Sequence, residues 1–334
     1  MFCIFPEDKY IMLLGFDIGG TKCAVILGKK DNAEKISIIE KVVLPTNLPV
    51  HKMIEALFNT ADTLIKGTDA ANNDLGGIGI CCGGPLNSKH GVILSPPNLP
   101  GWDNIPIAEM AEKRFGKKAF LQNDANACAI AEWKFGAGMG YRNTIFLTFG
   151  TGMGAGLILN GNLYSGTTDG AGEVGHTRLA DIGPVGFGKA GSFEGFCSGG
   201  GIAQLGQMKI REKIQMGESV SFCNGLDELS LITAKSVAEA AYRGDSVAID
   251  IYETSARYLG KGLALLIDIL NPEIIIIGGI YKKTQSLIEP IMKEVIEKEA
   301  LPGASKACKI VPSLLGDNIG DIAAIVLADM GCKS

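Results

Sequence analysis

The chain has no marked charge excess. Its 31 Lys and Arg stand against 36 Asp and Glu, a formal net charge of −5, so it lacks the basic footprint that nucleic acid or an anionic membrane calls for. Its nine cysteines (Cys3, Cys23, Cys81, Cys82, Cys128, Cys197, Cys223, Cys308 and Cys332) contain no CxxC pair. An odd number lying mostly inside apolar runs is how reduced core residues are used, and this predicts a cytoplasmic protein without a disulfide framework. No apolar stretch is long enough to span a bilayer, since residues 263–270 are interrupted by Asp268. Residues 1–9 lack a basic segment and a small-residue cleavage site, so no export signal is expected. Histidine occurs three times, as His51, His90 and His176. What remains is an ordinary globular composition, 46% hydrophobic and 20% charged over 334 residues, enough for two domains with separate cores.

Strands are predicted at 11–18, 23–27 and 36–44. A helix is predicted at 50–65, where Met53, Ile54, Leu57, Phe58, Leu64 and Ile65 recur at helical spacing. A strand at 75–82, a helix near 105–115 and a strand at 118–122 follow. The second half opens with a helix at 125–135 and a hairpin at 143–158, then a Gly-rich stretch, 161–201, with little periodicity. Helices near 199–213, 233–242 and 246–269, a strand at 273–277, and helices at 286–300 and 319–330 complete the chain. Strands preceding helices twice over predict an α/β protein. No low-complexity linker separates the halves, so the boundary is placed at the Asp124 strand–helix junction. Residues 1–124 form the first domain, joined by the C-terminal helix (317–334), and residues 125–316 form the larger second one.

The densest polar cluster sits between two apolar runs, in Asp17-Ile18-Gly19-Gly20-Thr21-Lys22. Gly19 and Gly20 let backbone N–H groups approach an anion, and Thr21 and Lys22 add a hydroxyl and a cation. Asp17 is placed to hold a hydrated Mg²⁺. Taken alone, such a hairpin tip is equally a solvated turn. The pattern recurs at 143–158, where Gly150-Thr151-Gly152-Met153-Gly154 again separates two apolar runs, so two hydroxyl-and-glycine turns could serve one polyphosphate.

Asp124, within Asn123-Asp124-Ala125-Asn126, lies at a strand end, where open α/β sheets bind ligands. It could act as general base on a hydroxyl attacking a γ-phosphoryl group, although Asn and Asp are also the preferred helix N-caps. Glu173 and His176, in Gly172-Glu173-Val174-Gly175-His176, could bond vicinal hydroxyls of a sugar. A lone histidine serves equally as a structural or surface residue. Glu194 is a carboxylate with no evident partner in a charge-poor segment.

These pieces together resemble the ROK (repressor/ORF/kinase) family of sugar kinases, within the actin-like, hexokinase-like superfamily. The resemblance rests on Asp17–Lys22, Gly83-Gly84-Pro85-Leu86-Asn87, Pro97-Asn98-Leu99-Pro100-Gly101-Trp102, Asn123–Asn126, Gly150–Gly154, Glu173–His176 and Ile277-Gly278-Gly279, in that order over nearly the whole chain. It implies an α/β, two-domain actin-like (ribonuclease H-like) ATPase fold with a nucleotide and sugar cleft between domains. It also implies ATP and Mg²⁺ as cofactors, a small-molecule sugar as substrate, and a homodimer. By resemblance, Asp124 is the catalytic base. Gly84, Asn98, Asn123, Asp124, Glu173, His176 and Glu194 bind the sugar. Asp17, Gly19, Gly20, Thr21 and Lys22 form the first phosphate loop, with Asp17 reaching Mg²⁺ through water. Thr151 and Gly152 form the second phosphate loop, and Gly278 and Gly279 the adenosine-side turn. One departure stands out. Many members carry a zinc run, C-G-C-G-x-x-G-C-x-E, and this chain has Val185, Phe187 and Ser192 at its three thiolate positions. The expectation is therefore no structural zinc, with apolar packing by Val185 and Phe187 holding the loop.

Two other readings compete with the kinase. A sugar-sensing, non-catalytic regulator of the ROK type would carry a helix-turn-helix domain ahead of the phosphate loop, where only sixteen residues precede Asp17. A dinucleotide oxidoreductase would match the loose G-x-G-x-x-A pattern at 150–155, but that fingerprint requires a helix directly afterwards, and residues 157–162 read as strand and turn. The sugar itself is not legible. Residues 84–87 and the loop at 179–183 are expected to select it.

Overall fold

The computed structural model describes residues 10–67 and 75–331; Cys3 and Cys332 lie outside them. In chain order the strands are β1 (Ile11–Ile18), β2 (Lys22–Lys30), β3 (Ile36–Pro45), β4 (Leu75–Cys82), β5 (Leu86–Asn87), β6 (Val92–Ile93), β7 (Ala119–Asn123), β8 (Thr144–Leu147), β9 (Ala155–Leu159), β10 (Asn162–Leu163), β11 (Val185–Gly186), β12 (Lys189–Ala190), β13 (Ile274–Ile277) and β14 (Lys309–Pro312). The helices are α1 (Val50–Gly67), α2 (Ile107–Phe115), α3 (Asp124–Phe135), α4 (Phe193–Cys197), α5 (Gly199–Gln215), α6 (Ala234–Tyr242), α7 (Ser246–Leu270), α8 (Tyr281–Glu299), α9 (Pro302–Ala307) and α10 (Ile319–Gly331).

The chain divides into two compact units. One comprises residues 1–134, 165–171 and 317–334, and the other residues 135–164 and 172–316. Where the sequence puts the boundary at Asp124, the contacts keep most of α3 with the first unit. No linker intervenes between β7 and α3, and the Cys128 thiol on α3 interacts with that of Cys81 on β4.

The first unit is built on a sheet in the order β3-β2-β1-β4-β7, with β1 antiparallel to β2 and parallel to β4. β1 is apolar on both faces because both are covered. Met12, Leu14, Phe16 and Ile18 join Met53, Leu57 and Trp102 in the core under α1. On the opposite face, Gly15 and Gly79 let α10 lie directly on the sheet. A Cβ at Gly79 would come within 2.0 Å of the Ala324 carbonyl oxygen. The apolar stretch of α10, buried from Ala323 to Ala328, needs such a site. The alternation of β1 also decides that Asp17 faces α10. Residues 165–171 return to this unit, where Asp169 accepts bonds from the Ser88 backbone N–H and hydroxyl, both at 2.8 Å.

The second unit has a sheet in the order β10-β9-β8-β13-β14, with β8 and β13 wholly buried. α7 packs against α8, α6, α5 and α4. α8 begins at Tyr281, five residues ahead of its sequence-based start, and tolerates Pro290 inside it. β14 and α9 went unread in the sequence, because a four-residue edge strand ending in Pro312 and a six-residue helix carry too little periodicity. No helix among the described residues is long and apolar enough to cross a membrane.

Candidate active site

In the first unit, three carboxylates meet around the end of β1. Asp17 is the penultimate residue of that strand, Asp124 is the first residue of α3, and Asp321 lies in the first turn of α10. Burial raises the Asp17 pKa to about 6, helped by the charges of Asp124 and Asp321 and opposed by those of Lys41 and Lys22. Burial also raises that of Asp124, against a hydrogen bond from the Ala125 backbone. Lys41 holds Asp321 at 2.7 Å. The sequence pointed to Asp17 and Asp124 but not to Asp321 or Lys41, which carry no motif and reach the site only through the packing of β3 and α10. Cys81 and Cys128 are likewise brought against this cluster, and burial together with the nearby carboxylates pushes both thiols up, so they remain neutral. The described cysteines are unpaired and all but Cys308 are buried.

At Asn123-Asp124 the geometry assigns the helix cap to Asn123. Asn123 Oδ1 accepts from the backbone N–H groups of Ala125 at 2.9 Å and Asn126 at 3.4 Å, which is the capping arrangement. The Asp124 carboxylate accepts from the neighbouring Ala125 N–H at 2.7 Å and from its own backbone N–H, neither of which is a capping bond to the second or third helical residue. The helix therefore does not need Asp124 as its cap. Asn123 Nδ2 points toward Gly84, where an added Cβ would lie 3.5 Å away.

The first glycine turn is open at its tip, with Gly20, Thr21 and Lys22 exposed. It is braced at its base, where Thr46 donates from its hydroxyl to the Gly19 carbonyl at 2.7 Å and from its N–H to the Thr21 carbonyl at 3.0 Å. Asn98 lies directly against it. A Cβ at Gly20 would sit 2.2 Å from the Asn98 carbonyl oxygen, so this close approach requires glycine. The Asn98 loop is itself anchored by the buried Leu99 and Trp102.

In the second unit the structure brings together Thr151, Gly152, Glu173, His176, Glu194, Gly278 and Gly279. Glu194 accepts from the Met153 N–H at 3.0 Å, tying α4 to the second glycine turn. Gly175 is packed on the Met153 carbonyl, so the Glu173–His176 turn shares the same support. Gly279, at φ +62°, lies against the Phe149 carbonyl, and Ile280 donates to that oxygen at 2.7 Å. The sequence did not single out the N-terminus of α5, yet Gly199 donates to the Gly150 carbonyl at 2.7 Å and brings that helix end up to the Thr151 turn. Its signal was three successive glycines after the capping Ser198. Among the described residues the His176 imidazole makes no hydrogen bond, and its ring contact is with Phe187.

The zinc-run positions do not offer a metal site. Ser192 is fully buried, and its hydroxyl accepts from Gly195 N–H at 3.1 Å as the N-cap of α4. Val185 and Phe187 have no donor atoms. They also do not pack the loop as the sequence suggested, being 46% and 71% exposed. Their alternate, Gly186, takes the inward position, where a Cβ would meet Gly195 and Ser192 at 2.7 Å. The loop is held by hydrogen bonds instead, with the Gln204 amide bonding both the N–H and the carbonyl of Val185 at 2.9 and 2.8 Å. Among the described residues no cluster of three or more His, Cys, Asp or Glu is arranged to hold a metal ion by itself. A Mg²⁺ reached from Asp17 through water, with phosphate oxygens completing its shell, needs no such protein cage.

The chain is 33% identical over 317 residues to a glucokinase of Halalkalibacterium halodurans, covering 92% of both chains. It is 29% identical to the xylose repressor of Caldicellulosiruptor bescii, covering 95% of this chain and 78% of that protein. The crystal structure of a ROK family glucokinase from Streptomyces griseus in complex with glucose and AMPPNP superimposes with a TM-score of 0.73 at 28% identity, over 96% of this chain and 100% of that one. The α/β architecture is thus the actin-like ATPase fold. The ROK family model matches residues 13–330, and the chain belongs to that family.

Proposed function

We propose that this protein is an ATP-dependent sugar kinase that phosphorylates a hexose or an N-acylhexosamine, with Asp124 as general base. The carrying observation is the division of labour at the β7–α3 junction. Asn123 caps the helix, and the Asp124 carboxylate, which the helix does not need as its cap, has its pKa raised by burial. A raised carboxylate pKa favours proton abstraction from a sugar hydroxyl near neutral pH. In this reading Gly84, Asn98, Asn123, Glu173, His176 and Glu194 bind the sugar. The two glycine turns, through Gly19, Gly20, Thr21 and Lys22 and through Thr151 and Gly152, present N–H groups, hydroxyls and one cation to the phosphates. The dipole of α5 adds to the second turn. Gly278 and Gly279 serve the nucleoside side. Bound Mg²⁺, reached by Asp17 through water, would neutralise charge on the transferring phosphoryl group. Phosphoryl transfer asks little covalent work of the protein, so aligned hydroxyl and phosphate carry the rate. We place the enzyme in the cytoplasm as a homodimer, with neither nucleic acid nor membrane as partner.

The regulator reading draws on the similarity to the xylose repressor. It is separated from the kinase by one measurement, sugar-dependent ADP release with Mg²⁺ and ATP across a panel of hexoses and N-acylhexosamines. The kinase reading expects turnover with at least one sugar and, in Asp124→Asn, a loss of about 10²-fold or more with sugar binding retained. Near-normal turnover by that variant would leave Asp124 without a catalytic role. Sugar binding without any turnover would favour the sensor.

A further inference from the structure

We propose that Phe187 is a positioning residue for His176, its ring fixing the orientation of the imidazole toward the sugar; this rests on the kinase reading above. Phe187 and Gly188 form the two-residue turn between β11 and β12, with φ of +43° and +73°. A turn with two left-handed residues favours Asn-Gly and disfavours a bulky side chain at its first position. Burial does not explain the phenylalanine either, since it is 71% exposed. What the ring does touch is His176, edge to face at 6.0 Å between centroids and 75° between planes, the geometry that aromatic pairs prefer.

The hairpin is built to hold that contact still. At its base the Gln204 amide grips Val185 through two hydrogen bonds. Beyond the turn, Lys189 Nζ donates to the carbonyl oxygen of His176 itself at 2.7 Å. One hairpin thus holds the histidine through its backbone on one side and through its ring on the other. With no hydrogen bond from either imidazole nitrogen to a described residue, both remain available to sugar hydroxyls, and Phe187 supplies the orientation that such a bond would otherwise give. A strained backbone kept beside a binding residue is the pattern expected where the side chain, not the turn, is needed.

The test compares Phe187→Asn, which suits the turn and lacks the ring, with Phe187→Tyr, which keeps it. We expect Phe187→Asn to melt at the same or a higher temperature. Its sugar KM should rise about three- to tenfold, the range an aromatic pair supplies, with kcat and the KM for ATP within about twofold, while Phe187→Tyr restores the sugar KM. The Cε1–H resonance of His176, assigned among three histidines with a His176→Gln variant, should shift in Phe187→Asn through loss of the ring current. A stable Phe187→Asn with an unchanged sugar KM, or an unmoved resonance, overturns the proposal. If the unaltered chain turns over no sugar, the kinase reading fails on its own account, and the resonance still decides whether the ring orients the histidine.

Discussion

Replacing Asp17 with asparagine should make the protein more stable and less active, with a gain that depends on pH. Its carboxyl group ionises near pH 3.8 in the unfolded chain and at about 6 in the fold, where burial and the charges of Asp124 and Asp321 outweigh the attraction of Lys41 and Lys22. Between those values the folded chain keeps a proton that the unfolded chain has lost. Stability therefore falls as pH rises through that window and stays lower above it. At about 1.4 kcal/mol per pH unit, the ionised carboxylate costs the fold about 1 kcal/mol at pH 4.5 and about 3 kcal/mol at pH 8. Asparagine has no such cost. Trp102 and Trp133 are the only tryptophans, and both belong to the first unit with Asp17. Urea unfolding followed by tryptophan fluorescence therefore reads the right part of the chain. Asp17→Asn should exceed the unaltered protein by about 1 kcal/mol at pH 4.5 and about 3 kcal/mol at pH 8, while Mg²⁺–ATP binding and turnover drop. A variant that is less stable at pH 8, or a gain that is the same at both pH values, would refute the argument.

Other outcomes follow from packing and donor chemistry. Gly79→Ala should destabilise the first unit by about 3 kcal/mol or more, because its Cβ would press on the Ala324 carbonyl oxygen and the Ala328 nitrogen of α10, at 2.0 and 2.6 Å; circular dichroism melting checks this. The purified protein should hold no stoichiometric zinc by elemental analysis, and a zinc-selective chelator used with excess Mg²⁺ should leave turnover unchanged, since Val185, Phe187 and buried Ser192 provide no ligand set. Asp124→Asn should unfold at a urea concentration no lower than normal at neutral pH, because Asn123 rather than Asp124 caps α3 and burial disfavours the ionised Asp124 carboxylate; a loss of about 1 kcal/mol would return the capping role to Asp124.

Much of the fold was legible wherever a segment's neighbours impose a period on it. β1 and β4 stand at 11–18 and 75–82 as read, because strands covered on both faces must be apolar throughout. α1 announced itself through the helical spacing of its apolar residues. The loop at 185–194 was misjudged for the opposite reason. In the β11–β12 hairpin the inward position belongs to Gly186, so the large apolar residues beside it face out, and composition alone cannot give that register.

The candidate site divides in the same way. Sequence determined the chemical groups, namely Asp17 and the two glycine turns, Asp124 at a strand end, and the Glu173–His176 pair, because each depends on residues adjacent in the chain. Only the tertiary structure decided what those groups can do. It set α10 on the glycine face of β1, burying Asp17 and bringing Asp321 to it, so that its pKa rises to about 6 against the attraction of Lys41. It assigned the cap of α3 to Asn123 and left Asp124 open, and it laid Phe187 against His176. Protonation, orientation and free valence arise from contacts between residues remote in the chain, and a local pattern of residue types does not contain them.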